Sequence, residues 1–390
     1  MEEISPESRV ALSPLLGIVT GTRSRIMSTK QIRTLCSRQQ HFLQFLDSVK
    51  LGNNYALTGF TLTTRNIIMA CYTALLATGE TLLCKSIKTN TIIRYLNAAA
   101  ELSTLAKMMN PCLDIMGNQS TYIKDIIREH KRWESIPNRK EPLTKKMVKY
   151  IIDKGKKLNK SNPNNIYTAL ADWLIVGLQA GFRRKEWAQD RTYLKKHKDI
   201  ERNIDKSSSA FILEDFEFRA DGNKRINNSS TKEIKKSSII NIKWRFQKNN
   251  DNGQVISYVK DNVNTTYCVV EACKRLRKRA IELKVDKDKP IAVFTENLKG
   301  KNITRFIDDI HIKSLLQEAA GKEYNIKCKK ELSAFTSHSI RVGACVLLHA
   351  QNISAEDIKF RLRWRSDTFR TYLRNIVQLA ERHRDAITKA

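Results

Sequence analysis

Between residues 31 and 134 the apolar side chains return at helical spacing. Phe42, Phe45, Leu46 and Val49 form one stripe, Ile92, Ile93, Tyr95, Leu96 and Leu102 another over residues 91–105, and Ile123, Ile126 and Ile127 a third. Few strand signals interrupt them, so the pattern predicts a bundle of four or five helices. Residues 1–30 lack sustained periodicity and are expected to form a flexible arm.

A break follows at residues 135–143, where two prolines and little apolar content predict a linker. Thr144 is placed to cap the next helix, with Met147, Tyr150 and Ile151 on its buried side, and residues 167–178 predict a second, more apolar helix. From 211 to 259 the period falls to two. Ile240, Ile242, Trp244 and Phe246 alternate with Asn241, Lys243, Arg245 and Gln247, and a turn over residues 248–253 precedes a second apolar run at 255–259. Asp221-Gly222 marks a further turn, while the Ser, Lys and Asn-rich stretch 225–238 is expected to be partly disordered.

Helical patterns return over 269–283 and 303–320, with a short apolar strand at 291–294 between them. Two more helices are expected. One starts near His338, and the other is opened by Ser354, with Asp357 in the acidic third position of a capping box. The fold class is therefore mostly α with a small antiparallel sheet: a helical domain over 31–134, a linker at 135–143, and an α+β domain over 144–390 with a short apolar-faced helix after Tyr372.

Charge narrows the function. Lys and Arg number 70 against 40 Asp and Glu, a formal net charge of +30 with an isoelectric point near 9.9. The basic residues run along the whole chain, so a polyanion is the expected partner. Nucleic acid is favoured over a membrane surface, because no basic amphipathic helix with a sizeable apolar face and no lipid anchor is evident. The longest apolar region, 67–77, is too short to span a bilayer, and an N-terminus carrying Glu2, Glu3 and Glu7 does not read as a secretory signal. An intracellular protein is expected, with no membrane partner and no small-molecule substrate. Eight cysteines without a CxxC pair and seven histidines without HxxxH spacing argue against a structural zinc or a disulfide framework.

The candidate chemistry sits in three places. Gly181-Phe182-Arg183 is followed by Glu186, three residues beyond the arginine, with Arg184 as an alternative cation. His338 and Arg341 share one face of a helical first turn that Thr336 or Ser337 is placed to cap. Trp364 and Tyr372 follow. Taken singly, each has an ordinary reading as an ion pair, a cap, a solvated charge or a core aromatic.

In this order they resemble a known set. His338-Ser-x-Arg341-Val-Gly, then Arg363-Trp364-Arg-Ser-Asp-x-Phe-x-x-Tyr372, resembles the C-terminal catalytic boxes of the tyrosine recombinases, or phage-type integrases, in the style of eukaryotic mobile elements. Gly-Phe-Arg183-x-x-Glu186 resembles that family's first box. The resemblance implies a helical core-binding domain gripping one side of double-stranded DNA and a catalytic domain holding the other. It implies Arg183 and Arg341 on the scissile phosphate, Glu186 supporting the site and His338 accepting a proton. It places Trp364 where many relatives carry His, and it implies Tyr372 as the nucleophile of a 3′-phosphotyrosine intermediate.

Lys248, at the hairpin tip, takes the place of the family's catalytic lysine, with Lys243 and Lys260 as substitutes. The family works without metal, ATP or another cofactor and assembles as a homo-tetramer on two DNA sites. The interval from Trp364 to Tyr372 is one residue shorter than in many bacterial and phage members and suits the mobile-element branch. Two other readings use the same residues: a type IB topoisomerase-like enzyme, and a non-catalytic DNA-binding protein derived from a recombinase.

Overall fold

The computed structural model describes residues 29–373 except 53, 80–86, 107, 136–138, 188–209, 246, 248–251 and 299, together with 384, 387 and 388. The chain divides into two compact units, Met1–Pro137 and Asn138–Ala390. The expected arm falls almost wholly outside the described residues, as do Ile376, Val377, Leu379 and Ala380 of the helix expected after Tyr372.

In the first unit four helices are described: α1 (Thr29–Ser48), α2 (Leu62–Thr78), α3 (Thr89–Leu105) and α4 (Thr121–Trp133). Thr61 caps α2 by accepting the Thr64 N–H. The apolar stripes read from the sequence face inward: Phe42, Leu46, Tyr72, Ile92, Leu96 and Ile123 are almost completely buried in one core. Each such side chain contributes roughly 1.5–3 kcal/mol. A buried polar contact within it, His41 Nδ1 to the Tyr72 hydroxyl at 2.9 Å, satisfies both groups.

The second unit is built around α6 (Ile166–Ala180), which is buried nearly all round and is followed by a single helical turn, α7 (Arg184–Trp187). Its neighbour α5 (Lys145–Leu158) starts where Thr144 accepts the Met147 N–H at 3.4 Å. Inside the apolar α6, Asp172 is buried at 2% exposure and is held by two arginines of α9 (Val269–Glu282): Arg275 Nε at 2.6 Å and Arg279 Nη2 at 2.8 Å. A buried carboxylate is tolerated when paired in this way.

Three strands, β1 (Phe216–Arg219), β2 (Ile239–Trp244) and β3 (Gln254–Val259), form an antiparallel sheet in that order. The alternation in β2 buries Ile240, Ile242 and Trp244 in the unit's core, with α9 packed on the strand, as a half-buried strand requires. Between β1 and β2 the stretch expected to be partly disordered forms a short helix, α8 (Thr231–Lys236). Ser230 caps it, and Asn228 is fixed to both the N–H and the carbonyl of Phe218. Side-chain-to-backbone bonds order a segment that has little apolar content.

A second correction concerns residues 303–306. They continue β5 (Lys301–Phe306), paired with β4 (Val293–Leu298), instead of starting a helix. The β-branched Ile303 and Thr304 suit a strand, and the helix, α10 (Asp309–Glu323), begins only after Asp308 accepts the N–H groups of Ile310 and His311. Then follow α11 (Lys329–Leu332), α12 (His338–Ala350), α13 (Ala355–Leu362) and a 3₁₀ turn, Asp367–Tyr372.

Residues 139–143, linker-like in composition, are packed within the second unit. Arg139 donates to Thr371 O, Lys140 to Ser333 O, and the Leu143 N–H to Ser339 O. No helix among the described residues is long and apolar enough to cross a membrane.

Candidate active site

The site forms where two helix ends meet. At the end of α6, Gly181 takes the left-handed conformation (φ 58°), and a Cβ there would lie 2.5 Å from Leu362 Cδ2 at the end of α13. This close approach leaves the terminal carbonyls of both helices facing the same space, and arginines satisfy them. Arg341 Nη1 donates to Gly181 O and Nη2 to Leu362 O, both at 2.5 Å, and Arg363 Nη1 donates to Ala180 O at 3.0 Å.

Beyond Gly181 the chain sends Phe182 into the core and Arg183 into the site. Glu186, 5% exposed, accepts four hydrogen bonds: from the Arg183 N–H (2.9 Å) and Arg183 Nη1 (3.2 Å), from Arg363 Nη2 (2.8 Å), and from Trp244 Nε1 (3.3 Å). A carboxylate with that many donors is fixed in place. Arg183 in turn extends Nη2 to Arg363 O at 3.0 Å, and Arg341 Nη2 reaches the same oxygen at 3.5 Å.

Arg341 comes from the first turn of α12. That helix presses so closely on the chain before α5 that a Cβ at Gly343 would lie 2.3 Å from Leu143 O. No side chain caps its start at Ser337. The Thr336 hydroxyl instead accepts the His338 N–H at 3.3 Å. His338 and Arg341 differ in burial: the histidine reaches the surface while its ring packs on Tyr372 with centroids 5.6 Å apart, whereas the arginine is 4% exposed and stacks on Trp364, its Cζ 4.6 Å from the ring.

Tyr372 closes the group. Its hydroxyl is 2.9 Å from His338 Nε2, and its ring meets Trp364 edge-on at 5.5 Å. The turn that carries it is anchored by buried Phe369, by Asp367 to Lys359 at 3.1 Å, and by Arg139 on Thr371 O at 3.0 Å. Ser354 accepts the Asp357 N–H at 3.0 Å and so starts α13, whose end delivers Trp364. The structure thus brings together Arg183, Glu186, His338, Arg341, Trp364 and Tyr372.

No family model and no curated protein matches the chain. Solved structures do. The XerH site-specific recombinase bound to palindromic difH substrate, a post-cleavage complex, is 13% identical; 81% of this chain and 69% of that one are covered, with a TM-score of 0.41. The Tn1549 transposon integrase in complex with transposon right end DNA is 12% identical, with 85% and 86% covered and a TM-score of 0.39. XerA recombinase is 15% identical, with 96% and 97% covered and a TM-score of 0.33. All three are recombinases or integrases.

The electrostatics follow from the packing. Glu186 pairs with two guanidiniums, Arg183 and Arg363, while Arg341 is held by carbonyls, so the cluster carries an excess of positive charge. Burial pushes Arg341 down to about 9, and Arg183 and Arg363 push the same way; it remains cationic at neutral pH. Desolvation, then Arg341 and Lys140, lowers His338 below its ordinary 6.5, so its ring is neutral near pH 7. Desolvation raises Tyr372 above 10, while Arg341 pulls it back. The Trp364 Nε1–H is buried and has no hydrogen-bond partner among the described residues. Beside these groups opens a cleft of about 580 Å³ lined by Asn252, Gln254, Phe360, Arg363, Trp364 and Arg365.

The alternatives fall elsewhere. Arg184 is paired with Asp309 at 3.0 Å, and Lys260 with Glu271 at 3.3 Å. Lys243 lies exposed on β2, opposite Val255. Lys248 lies outside the described residues. Two members of the cluster were not singled out from the sequence, Arg363 and Trp244. For Arg363 the available signal was its place beside Trp364 in the last box; for Trp244 there was none beyond its inward phase in β2.

Proposed function

We propose that this chain is a site-specific DNA recombinase of the tyrosine recombinase kind, cutting and rejoining strands through a covalent 3′-phosphotyrosine. The observation that carries the reading is the meeting of the Arg183 and Arg341 guanidiniums at one oxygen, in a cluster that holds the Tyr372 hydroxyl against His338.

A phosphodiester under attack gathers negative charge on its non-bridging oxygens, and two fixed guanidiniums stabilise that charge more than they stabilise the ground state. Tyr372 Oη forms the bond to phosphorus and the bond to the 5′ oxygen breaks. The phenol proton passes to neutral His338, and the leaving oxygen takes a proton from a lysine, for which Lys248 is the sequence's candidate. The Trp364 N–H supplies a further donor to a phosphate oxygen. Glu186 holds Arg183 and does not touch substrate. The ester bond energy stays in the phosphotyrosine, so rejoining needs no external energy source. The same reading carries the expectation of four subunits on two DNA sites, since strand exchange needs four cuts.

A pool of nicked duplexes of randomised sequence tests it. A nick close to the cut releases a short fragment and strands the intermediate, so the wild type accumulates on DNA and Tyr372→Phe does not. Exchange between two duplexes, as opposed to relaxation of a supercoiled circle alone, separates a recombinase from a type IB topoisomerase. Absence of any covalent adduct contradicts the catalytic reading and favours a DNA-binding protein.

A further inference from the structure

Arg363 stands in a backbone conformation that a side-chain-bearing residue adopts at a cost. It ends α13 with φ 56° and ψ 52°, the left-handed region in which glycine is at ease and a Cβ crowds the carbonyl. Such strain persists where the surroundings fix it, and here they do. The side chain is 6% exposed, its Cζ sits 4.0 Å over the Trp244 ring, Nη2 meets Glu186 Oε2 at 2.8 Å, and Nη1 meets Ala180 O at 3.0 Å.

The main chain of the same residue serves the other side of the site. Its carbonyl oxygen accepts Nη2 of Arg183 at 3.0 Å and Nη2 of Arg341 at 3.5 Å. One residue therefore touches both guanidiniums by its backbone and reaches the carboxylate that holds Arg183 by its side chain. The left-handed turn makes this possible, since it directs the carbonyl toward the two arginines while the guanidinium enters the core beside Glu186.

We infer that Arg363 is a positioning residue for the proposed reaction: through Glu186 and its own carbonyl it sets the spacing and orientation of Arg183 and Arg341 for the non-bridging oxygens of one phosphate. The inference rests on the recombinase reading, and the arginine itself makes no contact with the reacting atoms. A cation is needed at this point because Glu186 would otherwise balance Arg183 alone and draw its guanidinium away from substrate. A fork is needed because the ion pair and the Ala180 carbonyl are engaged at once, which a lysine ammonium matches poorly.

The test is single-turnover trapping on the nicked duplex pool at saturating DNA, with duplex affinity measured separately. Arg363→Gly removes the side chain at a position where glycine is unstrained. It is expected to slow trapping about a hundredfold, the penalty of a misplaced catalytic group, with duplex Kd within about threefold of wild type. Millimolar guanidinium ion restores part of the rate in Arg363→Gly and leaves the wild type unchanged. Arg363→Lys, which keeps the charge, falls between the two, and it carries the test if circular dichroism shows Arg363→Gly to be unfolded. Trapping at the wild-type rate in the folded glycine variant or in the lysine variant overturns the inference. Failure of the wild type to trap overturns the recombinase reading instead.

Discussion

Arg183 and Arg341, 158 positions apart in the chain, share an acceptor: Nη2 of the first lies 3.0 Å and Nη2 of the second 3.5 Å from Arg363 O. Two like charges at such range repel, and the fold offsets the repulsion with Glu186 and the terminal carbonyls of α6 and α13. An anion placed between them gains from both at once.

Loss of either arginine should therefore reduce chemistry far more than binding. Arg183→Ala and Arg341→Ala are each expected to slow covalent trapping by about 10²–10³-fold, with duplex affinity lowered only a few-fold among so many other cations. Arg341→Ala carries a second effect: it leaves the Gly181 and Leu362 carbonyls without their buried donors, which costs about 1–3 kcal/mol. Urea denaturation measures that loss, and Arg183, less buried, should show a smaller one.

The pH profile follows from His338 and Tyr372. The lowered histidine stays deprotonated further into acid than an ordinary imidazole, so the trapping rate should hold steady from pH 8 to about 6.5 and fall only below it. Because Tyr372 is raised, direct ionisation moves further from neutrality and the base is needed. His338→Ala should lose the acid limb and gain rate only as pH climbs toward the phenol's own range. A wild-type acid limb centred above pH 7 contradicts the role given to His338.

Much of the fold was legible because it depends on local repetition. The stripes through Phe42 and Leu46, the alternation through Ile240 to Trp244, and the Thr144 and Ser354 caps each involve residues a few positions apart. The order of the chemical boxes was legible for the same reason. Arg363 was not, since its carboxylate partner is 177 residues away and its left-handed backbone is one that a sequence pattern assigns to glycine. Residues 303–306 misled because Ile303 and Phe306 fit a helical stripe as well as a strand. The stop at Asp308 and the pairing with β4 decided between them.

Gly343 tests the packing that aims Arg341. A methyl group there meets Leu143 O at 2.3 Å, backbone against backbone, with no flexible side chain to yield. Gly343→Ala should destabilise the second unit by about 1–3 kcal/mol, read as a lower midpoint in thermal or urea unfolding. A midpoint unchanged from wild type means α12 sits further from Leu143 than described.

On the recombinase reading, the net charge of +30 makes duplex affinity a matter of counterion release. Between 50 and 200 mM salt, affinity for duplex DNA should fall about a thousandfold or more if six or more phosphates are contacted. Fluorescence anisotropy across that range gives the slope. A flat response removes DNA as the partner of the basic surface.

The most direct measurement is the chemical identity of the bond. After trapping on nicked duplexes, nuclease and trypsin digestion should leave a nucleotide remnant on the tetrapeptide covering residues 371–374, attached through a 3′ phosphate to Tyr372. A remnant on any other side chain, or a linkage through a 5′ phosphate, contradicts the mechanism drawn from this cluster.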